Sequence, residues 1–259
     1  MPLEKSRWKS GEQSSIPKAQ KVKENNMSRV LVVGDTHCPT MHKDYIDFLC
    51  DIREQWQCDK VVHIGDMVDW ASISYHPKAP SLKNSEAEFE KAFEQVQQLY
   101  DALGNDVTWF VGNHDALTER QASDLGLPLQ VLKDYQELWE VSGWEVVERF
   151  GTRTIDGVMY QHGDRGKGGR MAALANAKAE FQSVVQGHMH GQAGVEYYAN
   201  NNIRVFGMQT GCGVDYRLAA MDYGKKYSQK PILGCGVVLD GITAVFEPMD
   251  LGNKYGVLK

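Results

Sequence analysis

Apolar and polar positions change rhythm several times along this chain of 259 residues. Residues 29–34 (RVLVVG) form a short, β-branched apolar run ending in glycine, which predicts a buried strand. Residues 45–56 have helical spacing, and residues 60–65 (KVVHIG) predict a second buried strand. Residues 85–103 read as a long amphipathic helix, opened by Asn84 or Ser85 as cap and closed by Gly104. Residues 107–112 (VTWFVG) predict a third strand. Strands alternating with helices predict an α/β fold in which crossover helices join neighbouring strands.

The second half is richer in strand patterns. Residues 144–149, 154–161, 183–186, 195–198, 203–208, 236–239 and 242–247 are strand candidates, with one helix over 170–181. Asp240-Gly241 between two apolar runs is a hairpin signal. Residues 1–27 differ from everything after them: they are polar, without periodicity, and carry six basic against three acidic residues. They are expected to be a flexible tail, with an arm touching nucleic acid or a partner as the alternative. Residues 28–259 are expected to form one domain.

Composition adds boundaries. The chain is 42% hydrophobic and 24% charged, ordinary for a globular protein and sufficient for an ample core. A net charge of -6 argues against broad attraction to nucleic acid, while leaving room for a local basic patch. The five cysteines are odd in number and form no CxxC pair, which fits a reducing compartment better than a disulfide framework. No run approaches the roughly 18 apolar residues of a membrane helix, and the N-terminus lacks a signal-peptide core. The expectation is a cytoplasmic protein without membrane association; the pattern says nothing of oligomeric state.

The chemistry falls directly after the predicted strands, where binding sites of open α/β sheets form. Asp35-Thr36-His37 follows the first, Gly65-Asp66-Met67-Val68-Asp69 the second, and Gly112-Asn113-His114-Asp115 the third. Later strands deliver His162-Gly163 and Gly187-His188-Met189-His190. Carboxylate, imidazole and amide carbonyl suit hard-to-borderline divalent cations such as Mn²⁺, Fe²⁺, Zn²⁺ or Ni²⁺. In Asp35-x-His37 and His188-x-His190, the alternation of an extended strand end would aim both side chains to one side. The ligand set is too large for one ion and suits two ions sharing a carboxylate.

The blocks GDTH, GDMVD, GNHD, a His-Gly after a strand, and GHMH run in that order from Gly34 to His190. They resemble the five signature blocks of the calcineurin-like metallophosphoesterase superfamily, most closely its compact bacterial and viral members. The resemblance implies a two-sheet β-sandwich flanked by helices, with a dimetal site on loops at the strand ends. It assigns one metal to Asp35, His37 and His190, a second to Asn113, His162 and His188, and the bridge to Asp66. It makes His114 the group that contacts the scissile phosphate or protonates the leaving oxygen, oriented by Asp69. Hydrolysis would use a metal-activated hydroxide, with manganese the first expectation for the metal. Protein serine/threonine phosphatases of this superfamily carry arginine after GDxxD and before GNH; Trp70 and Val111 stand there instead, which argues against that subgroup.

Three further readings concern substrate. Residues 161–170 (QHGDRGKGGR) surround a ligand with glycines and with Arg165, Lys167 and Arg170, and either hold a second phosphate or form a solvated loop. In the irregular stretch 70–85, Trp70 and Tyr75 either recognise a base or pack on the core; Trp70, Arg165 and Asn113 are the substrate-binding candidates. His42 is assigned to solvent, His63 to the core, and residues 211–231 to a further rim of the site. The leading expectation is a phosphodiesterase or phosphatase for a nucleotide or nucleic acid. A phosphomonoesterase for a small non-nucleotide metabolite and a non-catalytic metal-binding scaffold are the alternatives.

Overall fold

The computed structural model describes residues 28–76, 82–166, 168–218, 229–250 and 252. The tail expected over residues 1–27 lies outside the described residues, as do Lys78, Lys167 and residues 219–228 of the expected rim.

The apolar runs of the first half become the centre of one sheet. Strands β1 (Arg29–Val33), β2 (Lys60–His63), β3 (Val107–Phe110) and β4 (Glu145–Val147) are parallel neighbours. The chain's last two strands, β10 (Gly234–Leu239) and β11 (Thr243–Pro248), add antiparallel to β1, giving the order β11-β10-β1-β2-β3-β4. The second sheet has the order β5-β6-β7-β9-β8. It is built from β5 (Arg153–Ile155), β6 (Val158–Gln161), β7 (Ser183–Gln186), β8 (Ala193–Ala199) and β9 (Arg204–Thr210).

Both faces of β1 are buried, which is why it reads as an unbroken apolar run. Val30 and Val32 point into a core shared with Tyr160, Val185, Phe206 and Met208 of the second sheet. Leu31 and Val33 point the other way, into a core closed by helices α1 (Tyr45–Trp56) and α2 (Ser85–Leu103) through Phe48, Leu49, Val96 and Leu99. Helix α5 (Ala172–Glu180) covers the outer face of the second sheet, where Ala177 packs with Met159, Val184 and Val205. The fold is thus mixed α/β, as the sequence pattern predicts, with two sheets flanked by helices, as the family resemblance implies.

Local chemistry explains most boundaries. Asn84 caps α2 by accepting from the Ala87 N–H at 3.1 Å, and Gly104 ends the helix. Asp240-Gly241 turns the β10–β11 hairpin with φ of 53° and 66°. The expected strand over 154–161 is corrected to two strands: Asp156-Gly157, with φ of 48° and 78°, makes a second hairpin of the same kind between β5 and β6. Helices α3 (Leu117–Asp124) and α4 (Tyr135–Trp139) were not expected. Their buried residues are few, Leu117 and Ala122 in α3 and Trp139 in α4, so neither leaves a periodic apolar signal.

Candidate metal centre

Strands β1, β2, β3, β6 and β7 each run out into a loop carrying the polar residues in question, and these loops are tied together. Thr36 and His37 donate their N–H groups to the Asp66 carbonyl at 3.1 and 2.9 Å, and Gly187 donates to the His162 carbonyl at 2.8 Å. The His188 N–H donates to Asp35 Oδ2 at 2.9 Å, joining the first sheet's loops to the second's. Two glycines make room for this. A Cβ at Gly112 would overlap Asp66 Oδ1, and one at Gly187 would overlap Asp35 Oδ1.

The extended-strand explanation for the paired ligands is corrected here. His37, Asp66 and His188 have φ of 47°, 46° and 66°, in the left-handed region. Such backbone costs about 1–3 kcal/mol per non-glycine residue and persists where surrounding structure dictates it. Side chains converge because the backbone turns sharply, not because strands alternate.

The donor atoms form two groups sharing one carboxylate. Asp35, His37, Asp66 and His190 offer atoms all within 4.8 Å of one another, as do Asp66, His162 and His188. His37 Nε2 is 3.1 Å from His190 Nε2 and 3.6 Å from Asp66 Oδ2. Across the shared carboxylate, His162 Nε2 is 3.3 Å from Asp66 Oδ2 and 3.2 Å from Asn113 Oδ1. All seven sequence-predicted ligands are therefore brought together. In two of the histidines the outer nitrogen is already engaged: His37 Nδ1 lies 2.9 Å from Asp69 Oδ1 and His162 Nδ1 lies 3.1 Å from the Ile64 carbonyl. Protons on those Nδ1 atoms hold both rings with Nε2 turned towards the cluster.

A third group of three, His37, Asp69 and His114, is also compact. It is a hydrogen-bonded set instead, since His114 Nδ1 lies 2.7 Å from the Asp69 carbonyl and 3.2 Å from its carboxylate.

Electrostatics agree with a cation site. Burial works against ionisation of Asp66, but the charges of His162 and His114 outweigh it and hold the carboxyl well below its usual range. Asp35 is likewise lowered against its burial by the hydrogen bond and charge of His190. Burial opposes a proton on His162 too, yet Asp66 beside it pushes the imidazole up to about 10. His114 is pushed up to about 10 against burial by Asp66 and Asp69. His37 is lowered by burial and by the His114 charge, and His188 by burial and the His162 charge. Two fully buried carboxylates require compensating positive charge. Imidazole nitrogens and carboxylate oxygens around them fit divalent ions.

Several side chains stand elsewhere than expected. Trp70 is 8% exposed and packs between Phe89 and Trp139, at ring distances of 6.1 and 5.7 Å. It is a core residue, which is the second of the two readings and corrects its listing as a substrate-binding candidate. Arg165 is exposed and donates to the Phe150 carbonyl at 2.8 Å, and it is not among the residues lining the cavity over the cluster. His42, expected in solvent, is buried, donating its N–H to the Gly213 carbonyl at 2.7 Å. Tyr75 is exposed and bonded to Asp124 at 2.5 Å, with the Arg120 guanidinium over its ring.

Two supporting residues carried no role in the sequence reading. Asp115 accepts from the Val68 N–H at 3.0 Å and the Gly112 N–H at 2.8 Å, clamping the second loop to the third. His63, buried in β2, contacts Thr36 Oγ1 at 3.1 Å and accepts from the Gly65 N–H at 3.3 Å, steadying the first two loops. Their places in GNHD and KVVHIG were visible, but not their partners.

Residues 28–206 match the calcineurin-like phosphoesterase family. The Gene 54 protein of Mycobacterium phage L5 is 27% identical over 214 residues, 74% of this chain and 81% of the phage protein. Among solved structures, Vps29 from Entamoeba histolytica aligns over 86% of this chain and 99% of its own, at 13% identity and a TM-score of 0.39. YfcE, a phosphoesterase from E. coli, aligns over 82% and 88% at 11% identity and a TM-score of 0.39. No helix among the described residues is long and apolar enough to cross a membrane. With the family matched from before β1 into β9 and the buried Asp–His cluster at its loops, this chain belongs to the calcineurin-like phosphoesterases, hydrolases that cleave phosphoesters with divalent metal ions.

Proposed function

We propose that Asp35, His37 and His190 hold one divalent ion and Asn113, His162 and His188 a second, with Asp66 bridging them. The reaction is hydrolysis of nucleotide or nucleic-acid phosphoesters, with diesters preferred. The observation that carries this reading is Asp66 Oδ2, 3.6 Å from His37 Nε2 and 3.3 Å from His162 Nε2, so that one oxygen faces both groups. Two such ions supply neutralisation of the phosphate and a lowered pKa for attacking water, and manganese suits the donor set.

His114 supplies the proton. Its Nδ1 is occupied by the Asp69 carbonyl, which leaves Nε2 for the leaving oxygen. The carbonyl and carboxylate of Asp69 beside it favour the protonated ring. Among the described residues, no arginine or lysine lines the cavity of about 350 Å³ over the cluster. A diester carries one fewer negative charge than a monoester dianion and depends less on such a clamp. The buried Trp70 ring offers no surface for base stacking. Five free cysteines suit a reducing compartment such as the cytoplasm, and residues 28–259 are taken as one working domain.

The test is kcat/KM for bis-p-nitrophenyl phosphate, a dinucleotide, p-nitrophenyl phosphate and a phosphoserine peptide after reconstitution with Mn²⁺. The diesters should be cleaved faster than either monoester. Preference for the small monoester would make this a metabolite phosphatase, and hydrolysis of none would leave a metal-binding scaffold.

A further inference from the structure

The cavity over the metal cluster is bordered by the turn that follows His190, where Gly191 and Gln192 line it. That turn is pinned. The Gln192 N–H donates to the Met189 carbonyl at 2.9 Å, and the Ile232 N–H donates to the His190 carbonyl at 2.8 Å. The Gln229 side chain donates to the Gly191 carbonyl between them. Gln192 is half-buried and also borders a neighbouring cavity of about 360 Å³, which Gln209 of β9 lines as well.

Two bonds decide which end of the Gln192 amide is left for a ligand. Gln209 is 4% exposed, and its side chain donates to the Arg170 carbonyl at 2.9 Å. A carbonyl only accepts, so the end of Gln209 turned to it is Nε2. The same Nε2 lies 3.3 Å from the Gln192 amide, so the atom it meets there is the acceptor Oε1. The carbonyl end of Gln192 is thus spent on Gln209, which lines the neighbouring cavity and not the one over the cluster. Its Nε2 remains. Among the described residues this nitrogen has no hydrogen-bond partner and yet is not sealed, so it opens to solvent. The result is an accessible N–H donor, on pinned backbone, two residues beyond a proposed metal ligand. A phosphodiester carries its negative charge on two non-bridging oxygens, which only donors or cations satisfy. Among the described residues, no arginine or lysine lines this cavity to meet them.

We infer that Gln192 is a substrate-binding residue: its Nε2 donates to a non-bridging oxygen of the phosphoester at the cluster, and Gln209 is the positioning residue that keeps that end of the amide outward. The inference rests on the metal-centre reading above and adds a contact beyond the GHMH block, which ends at His190.

A non-bridging oxygen is charged before and during hydrolysis, so the contact strengthens binding more than it speeds the chemical step. In the Mn²⁺-loaded full chain, Gln192→Met keeps the side-chain length and removes the donor. It should raise KM for bis-p-nitrophenyl phosphate about tenfold, the scale of one hydrogen bond to a charged oxygen, with kcat and bound Mn²⁺ near wild type. Gln192→Glu keeps an acceptor for Gln209 and sets a carboxylate against the ester's charge. Its KM should rise further, and less so at high salt. Gln209→Met frees the Gln192 amide to turn and should raise KM by a smaller factor; a wild-type KM there would overturn its positioning role. An unchanged KM in Gln192→Met, or a loss of bound Mn²⁺ that accounts for the defect, would overturn the contact while the phosphoesterase reading stands. If the wild-type chain cleaves no ester, that reading fails instead. Calorimetry with inorganic phosphate and the Mn²⁺-loaded chain then decides: weaker binding by Gln192→Met supports the contact, and equal binding overturns it.

Discussion

Asp69 Oδ1 lies 2.9 Å from Nδ1 of His37, a residue 32 positions earlier in the chain. His114, the nearer neighbour of Asp69 by motif, is held at 2.7 Å by the Asp69 backbone carbonyl and only at 3.2 Å by its carboxylate. The carboxylate therefore orients a proposed metal ligand at least as strongly as the proton donor. Asp69→Asn should weaken apparent Mn²⁺ affinity by about 10–100-fold, the usual effect of losing a partner behind a ligating histidine. Activity should return as free Mn²⁺ is raised, because the carbonyl still holds His114. A rate defect that no concentration of Mn²⁺ relieves would assign Asp69 to His114 alone.

Asp66 and His114 should separate cleanly. Asp66→Asn removes the charge shared by both donor groups, so bound metal and activity are expected to fall together. His114→Ala should keep its metal and lose a factor of about 10²–10⁴ in rate, as for a general acid. Elemental analysis beside kcat on a poor leaving group makes the comparison. Full activity of His114→Ala on such a substrate would refute its role.

Trp70 tests the corrected assignment. Buried between Phe89 and Trp139, it should behave as core. Trp70→Ala is expected to lower unfolding stability by about 3–5 kcal/mol in urea titrations. A variant of unchanged stability whose KM rises for nucleotides alone would return Trp70 to the substrate.

His63 gives a pH dependence whose sign follows from its bonds. Nδ1 accepts from the Gly65 N–H, and Nε2 is placed to donate to Thr36 Oγ1, which itself donates to the Met67 carbonyl. Both nitrogens are satisfied in the neutral ring, and burial lowers it from 6.5 to about 4. The folded state thus resists a proton that the unfolded chain accepts. Stability should be unaffected above about pH 6.5, then fall as pH drops towards about 4, by on the order of 3 kcal/mol. Denaturant midpoints of wild type and His63→Gln across that range measure the difference. Parallel curves would exclude His63 as the source.

The strands of the first sheet and all five loop clusters were legible because each couples a short apolar run to a fixed polar block. That coupling survives whatever the rest of the chain does. Trp70 and Arg165 were not legible, since their partners, Trp139 and Phe150, lie 69 and 15 residues away. Tertiary packing decides such cases. Left-handed backbone at His37 and His188 was hidden for a related reason: neither is a glycine, and nothing local asks for it. The β5–β6 turn, by contrast, was present as Asp156-Gly157 inside a run read as one strand.

The seven clustered side chains are divided between the layers. Asp35, His37, Asp66 and Asn113 leave the six-stranded sheet, while His162, His188 and His190 leave the five-stranded one. Each donor group mixes the two. A cation gripping either group is consequently a rivet through the sandwich, and its binding free energy adds to the cohesion of the layers. Under the proposed ligand set, catalytic competence would double as a checksum on assembly: a chain whose sheets have docked out of register would have no place to load metals there, and so could not act on a phosphoester before it is correctly built.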